Sequence, residues 1–153
     1  MYVVILFVLL ALFGNVIFNG FDNKEDIKRS VKKETSKYLP PGYVIGIIWT
    51  LLFALLGFIY ENIDSKKNKN NSSKIVIVLF LIFCILYGPL TKGKSPMFVK
   101  KYNYLTFVFL GLMTYVIKDS VPNYIYYLIP FYMWIGYINY LTLMDDMDKI
   151  NIF

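Results

Sequence analysis

The chain has no histidine and a single cysteine, and these two scarcities disfavour several kinds of site. Without histidine there is no imidazole to hold haem iron, and the apolar segments lack the clustered carboxylates and histidines of a di-iron bundle. A zinc site is disfavoured on the same grounds. One cysteine, Cys84, cannot form a disulfide within the chain. We therefore expect no metal site, no catalytic residue and no required cofactor.

Charged residues are also scarce within five long stretches. The chain is 58% hydrophobic and 19% aromatic, with a mean hydropathy of +0.54, whereas soluble domains are about 45–50% apolar. A membrane-spanning helix needs about 20 apolar residues. We predict an all-α membrane protein, a five-transmembrane-helix bundle in one domain over residues 1–153. Its spans are predicted at 1–21, 40–61, 74–91, 102–118 and 121–144.

The first apolar run has a second interpretation, because a cleaved secretory signal is also apolar. No Lys or Arg precedes this run, and "ALFGN" is a poor small-residue cleavage site. The run is also longer than a usual signal core. We interpret it as a span.

Basic residues are distributed unevenly over the predicted loops. The loops after spans 1 and 3, together with Lys149, hold most of the 16 Lys and Arg residues. Cytoplasmic loops carry such an excess, so we predict an outside N-terminus and a cytoplasmic C-terminus. The net charge of +6 then suits anionic lipid headgroups. Nucleic acid is not expected as a partner, because Asp and Glu interrupt the basic residues of the first loop.

Spans 2 and 5 carry the most distinctive residue patterns. In span 2, small residues recur at helical spacing, which predicts a face packed closely against another helix: Gly42, Gly46, Thr50, Ala54 and Gly57. Pro40 and Pro41 suit the first turn of that helix. In span 5, Pro130 lies within a tyrosine-rich run, and we expect it to kink the helix.

These two stretches resemble the translocator protein family (TspO/MBR, the peripheral benzodiazepine receptor family). "LPPGYVIGIIWTLLF" is similar to the family's second-helix pattern Pro-Pro-x-Trp-Val-Phe-Gly-Pro-Val-Trp-Thr-x-Leu-Tyr. It matches at Pro40, Pro41, Val44, Gly46, Trp49 and Thr50. "LIPFYMWIGYINYL" is similar to the fifth-helix pattern Leu-x-Pro-Tyr-x-x-Trp-x-x-Phe-Ala-x-x-Leu-Asn. It matches at Pro130, Trp134 and Leu141.

Other positions depart from the family patterns. Tyr43 replaces a Trp and Phe53 a Tyr in the second helix, and Phe131 replaces a Tyr in the fifth. The family's third helix carries Asn-x-x-Trp-Ser-Pro-Leu-Phe-Phe, of which "CILYGPLTK" keeps only Pro89 and Leu90. Cys84 replaces the Asn and Tyr87 the Trp, which removes a polar group facing the family's ligand cavity.

The resemblance implies a five-helix bundle in the lipid bilayer, often a homodimer, with a cavity under the first loop. That cavity binds protoporphyrin-type tetrapyrroles and related apolar small molecules. By this analogy Trp49 and Trp134 line the cavity, with Tyr43, Phe53 and Phe131 near them and Tyr87 and Cys84 on the third helix. Flat macrocycles stack on aromatic rings, and a porphyrin propionate is expected to meet Lys37 of the first loop.

Two further functions stay open beside a receptor or carrier. Some bacterial members of the family are associated with light-dependent porphyrin breakdown, although this chain offers no general base or nucleophile in its spans and only Trp and Tyr to oxidise. The altered third helix also fits a structural or tethering protein that has lost its ligand. Sterol transport is not predicted, because Tyr140 lacks the flanking residues of the Leu/Val-x-Tyr-x-Lys/Arg pattern.

The predicted orientation is testable by cysteine labelling in a Cys84→Ala background. A membrane-impermeant maleimide should label Lys66→Cys in intact cells, because the loop after span 2 is predicted outside. Lys94→Cys should be labelled only after permeabilisation. The reverse pattern would show the opposite orientation.

Overall fold

The computed structural model describes residues 1–20, 40, 42–63, 68–91 and 94–150, and all regular structure in those ranges is helical. The helices are α1 (Tyr2–Gly20), α2 (Gly42–Glu61), α3 (Asn68–Ile85), α4 (Tyr87–Thr91), α5 (Pro96–Ile117), a 3-10 helix (Ile125–Leu128) and α6 (Ile129–Ile150). The predicted all-α class is confirmed.

Among the described residues, one helix is both long and apolar enough to cross a membrane. This is the stretch Tyr43–Glu61 of α2, with 19 residues and a hydropathy of 2.2. Shorter apolar helical stretches cover Tyr2–Gly14 and Asn71–Ile85. Five spans therefore remain a prediction from the sequence.

The first two helices run antiparallel and are joined at the end of α2 that carries Glu61. The Glu61 carboxylate accepts a hydrogen bond from the Val3 N–H at 2.8 Å and pairs with the Met1 ammonium group at 2.5 Å. Gly57, one turn earlier, is buried against the backbone of α1. A helix's first N–H groups have no intrahelical acceptor, so Glu61 both caps α1 and aligns it with α2.

Helices α3, α5 and α6 form a second antiparallel group. The Tyr102 hydroxyl of α5 donates to the Phe83 carbonyl of α3 at 2.8 Å. The Tyr132 hydroxyl of α6 donates to Thr114 Oγ1 of α5 at 2.8 Å. Helix α5 thus lies between its two neighbours, with a polar contact to each.

Aromatic rings fill the space between these three helices. Phe80 of α3 and Phe131 of α6 are both fully buried, and their ring centroids lie 6.1 Å apart. Phe80 also meets Phe109 of α5 edge to face at 5.4 Å. Edge-to-face pairs at such distances are favourable, so this three-ring contact is the centre of the core.

Threonine hydroxyls are satisfied within their own helices. Thr50 bonds to the Gly46 carbonyl, Thr106 to Tyr102 and Thr114 to Leu110, at 2.9, 2.8 and 2.8 Å. Each bond joins a residue to the carbonyl four positions earlier. Such back-bonding hides a polar group without a partner helix, which suits a chain surrounded by hydrocarbon.

The third predicted span differs from the structure at both ends. Helix α3 begins at Asn68, ahead of the predicted start at residue 74, so the Asn/Lys/Ser-rich stretch is helical from Asn68. It ends at Ile85, and α4 resumes at Tyr87. Pro89 explains the break, because it has no N–H to donate to the Ile85 carbonyl.

Helix α5 starts earlier than the predicted fourth span. Its first residue is Pro96, and Ser95 is the N-cap, whose hydroxyl accepts from the Phe98 N–H. Proline at the first helical position needs no hydrogen bond there. The helix therefore begins ahead of Lys100 and Lys101, which an apolar-run criterion places outside the span.

The predicted kink at Pro130 is wrong. A 3-10 helix precedes α6, and the Ile129 N–H donates to the Tyr126 carbonyl. Pro130 is the second residue of α6, where its missing N–H disrupts no α-helical bond. At α2 the difference is smaller: the helix begins at Gly42 and Pro40 precedes it, while Pro41 lies outside the described residues.

The close approach of α1 and α2 predicts a strong effect of Gly57→Ala. A methyl group at Gly57 would lie 2.8 Å from Val4 Cα, so the two backbones must separate. We expect a loss of about 1–3 kcal/mol in the free energy of unfolding, measured by detergent-induced unfolding. Gly111→Ala is the control, because nothing lies within 4 Å of its added methyl group. An equal loss in both variants would contradict the close packing.

Candidate functional site: an apolar cleft between α2 and α6

A cleft of about 1020 Å³ separates α2 from the 3-10 helix and α6. Side chains at helical spacing from both sides line it: Ile48, Leu51, Leu52, Ala54, Leu55, Phe58, Tyr127, Pro130, Met133, Trp134 and Tyr137. Its volume lies at the upper end of the range of roughly 300–1,000 Å³ that is usual for small-molecule pockets. The cleft is therefore large enough for a macrocycle.

Three aromatic rings close the cleft at the Glu61 end. Phe58 of α2 lies edge-on to Tyr124 at 5.6 Å and to Tyr127 at 5.3 Å between ring centroids. The two tyrosine rings stack on each other at 6.2 Å. We call these three residues the aromatic clamp. It holds α2 to the 3-10 helix, next to the cleft between α2 and α6.

The floor and the rim of the cleft differ in exposure. Leu52 and Trp134 form the floor and are only 3% and 9% exposed. Leu51 on α2 and Met133 on α6 form the rim and are 61% and 70% exposed. The opening therefore lies on the side of the bundle, between two helices.

The lining is almost free of polar atoms. None of its described residues is charged, and its side-chain polar atoms belong to Trp134, Tyr127 and Tyr137. The Trp134 indole N–H is buried and has no hydrogen-bond acceptor among the described residues. A buried unpaired N–H is costly, and this nitrogen has almost no accessible surface, so it is not open to the cleft.

Of the proposed residues that the structure describes, Trp134 alone lines the cleft. Trp49 is half-buried and packs edge-on against Phe53 at 5.7 Å between ring centroids. Phe53 is 4% exposed and belongs to the core. These two residues lie on α2 beside the cleft, on a neighbouring face.

The other proposed residues lie elsewhere. Phe131 is fully buried against Phe80. Cys84 is buried near the end of α3, and Tyr87 packs edge-on against Tyr102 at 5.5 Å. Tyr43, in the first turn of α2, is exposed. Lys37 lies outside the described residues.

The sequence patterns did not single out most of the lining residues. Leu51, Leu55 and Phe58 recur at spacings of four and three along α2, and Pro130, Met133 and Tyr137 do so along α6. Each stripe alone is what any packed helix shows. The predicted small-residue face divides accordingly: Gly57 packs against α1, as expected, while Ala54 lines the cleft.

The described residues form an all-helical fold with one helix long and apolar enough to cross a membrane, and the cleft beside that helix is uncharged. The sequence model of the TspO/MBR family matches residues 5–144, nearly the whole chain. The protein is therefore a member of the TspO/MBR family, an integral membrane family that binds tetrapyrroles and related ligands. Neither the curated proteins nor the solved structures include a significant match.

Because Phe131 is buried in the core, we expect it to stabilise the fold and not to contact a ligand. Phe131→Leu should lower the free energy of unfolding by about 1–2 kcal/mol, because it leaves a void against Phe80. Phe13→Leu is the matched control, since Phe13 is 64% exposed, and it should change stability by less than about 0.5 kcal/mol. Equal effects on detergent-induced unfolding would contradict the placement of Phe131 in the core.

Proposed function

We propose that this protein is a five-span membrane receptor or carrier that binds tetrapyrroles such as protoporphyrin IX, or similar flat apolar molecules, in the α2–α6 cleft. The observation that carries the proposal is the uncharged lining of the cleft, with the Trp134 ring in its wall. Family membership supports the ligand class.

The aromatic content of the cleft supports a flat ligand. The Trp134 and Tyr137 rings lie 6.2 Å apart and are inclined by only 32°. Phe58 and Tyr127 supply rings at the clamped end. A macrocycle that slides between α2 and α6 would stack on these rings in offset or tilted arrangements.

Helix lengths support two of the five proposed crossings. Helices α5 and α6 have 22 residues each, which at 1.5 Å per residue is roughly 33 Å. The hydrocarbon core of a bilayer is about 30 Å thick. The charged residues of α3 and α5 lie near helix ends, where long side chains reach the headgroups.

Protoporphyrin IX titrations with two tryptophan variants test the proposal. In purified protein, the porphyrin should quench tryptophan fluorescence to saturation. Trp134→Phe replaces the indole with a smaller ring, and we expect its Kd to rise about fivefold, since about 1 kcal/mol of stacking is lost. Trp49 remains as the reporter in that variant.

Trp49→Phe is the matched control. Trp49 does not line the cleft, so its replacement should change the Kd by less than about threefold, with Trp134 as the reporter. Absence of saturable quenching in the unaltered protein would refute ligand binding and favour a structural role. A Kd that changes only in Trp49→Phe would refute the α2–α6 cleft as the site.

A further inference from the structure

The position of the cleft determines which phase a ligand comes from. The aromatic clamp closes the cleft at the Glu61 end, where α1, α2 and α3 reach the bundle's edge. Leu51 on the exposed rim lies ten residues before Glu61, roughly 15 Å along the helix. This is about half the thickness of a hydrocarbon core. The mouth of the cleft thus faces lipid chains.

The lining also limits the charge of a ligand. The described lining residues offer no cation to a carboxylate. An ionised carboxylate placed in such surroundings loses its hydration and gains no ion pair, which is strongly unfavourable. An ester carries no charge and avoids that penalty.

We infer that the cleft takes its ligand sideways from the hydrocarbon phase of the bilayer, and that it selects uncharged flat molecules. The inference rests on the proposed function and names the substrate class and the route of entry for the same site. Propionate groups of a free porphyrin then stay outside the cleft, at the membrane surface, or hinder entry.

The charge selectivity is tested with protoporphyrin IX and its dimethyl ester in proteoliposomes. Binding is followed by the porphyrin's own fluorescence, and the concentration of each ligand is expressed as its mole fraction in the lipid, which removes the difference in partitioning. We expect the ester to bind at least about tenfold more tightly than the free acid. At a fixed total amount of ester, added protein-free lipid dilutes the ester within the membrane phase. The fraction of protein with bound ester should then fall in proportion to the total lipid volume.

The route of entry is tested at the rim. Met133→Trp narrows the mouth, and we expect ester association to slow at least about fivefold, because the rim side chain must move aside. Ile129→Trp is the matched control, since Ile129 lies one turn earlier on α6, is 52% exposed and does not line the cleft. Its association rate should match that of the unaltered protein.

The outcomes separate this inference from the proposed function. Tighter binding of the free acid, or occupancy that ignores lipid volume, would overturn sideways entry of neutral ligands while tetrapyrrole binding stands. Equal slowing in both tryptophan variants would also overturn the route. If neither porphyrin binds saturably, tetrapyrrole binding itself fails.

Discussion

The contact between Gly57 and the backbone of α1 is the constraint on which the cleft depends. Because no side chain separates them, α1 and α2 approach closely at one end, where Glu61 also caps α1. The clamp residue Phe58 is the next residue after Gly57 and points to the 3-10 helix. One short stretch of α2 thus joins α1 on one side and the start of α6 on the other, and it fixes where the space between α2 and α6 begins.

Polar groups are handled differently in the two parts of the bundle. Between α3, α5 and α6, hydroxyls cross from helix to helix, as at Tyr102 and Tyr132. Asn139 of α6 also donates to the Asn103 carbonyl at 3.3 Å. Such bonds fix the register of three helices that lipid alone would not distinguish. The wall of the cleft has the reverse character, since its described lining is uncharged and almost free of polar atoms. One face of α6 is thus held rigidly against α5, while another face lines the cleft.

The helical class and the approximate position of α1 followed from apolar runs alone. Helix starts did not, because an apolar-run criterion detects only the residues that lie in hydrocarbon. Asn68 and Pro96 begin helices within polar stretches, whose side chains face water or headgroups. The Ser95–Pro96 pair was a readable cap signal that the hydropathy argument ignored. Pro130 was misjudged because a 3-10 turn changes its position from helix interior to helix start.

The candidate site was predictable only in part. Trp134 followed from the family pattern, whereas Phe58, Leu51 and Met133 did not. Helical periodicity gives the faces of a helix but not the neighbour that each face meets. The cleft between α2 and α6 depends on how α2 packs against α1, α3 and the 3-10 helix together. No single stretch of sequence encodes that combined packing.

The aromatic clamp joins two groups of helices at one end of the cleft. One group is α1 with α2, the other is α3, α5 and α6, and Phe58 with its two tyrosines lies near the joined end. If a helix about 33 Å long rotates by about 5° about that end, its other end moves by about 3 Å, which is close to the thickness of one aromatic ring. The width of the cleft is therefore set by the angle between the two groups, and a small change of that angle at the clamp becomes a larger displacement along α6.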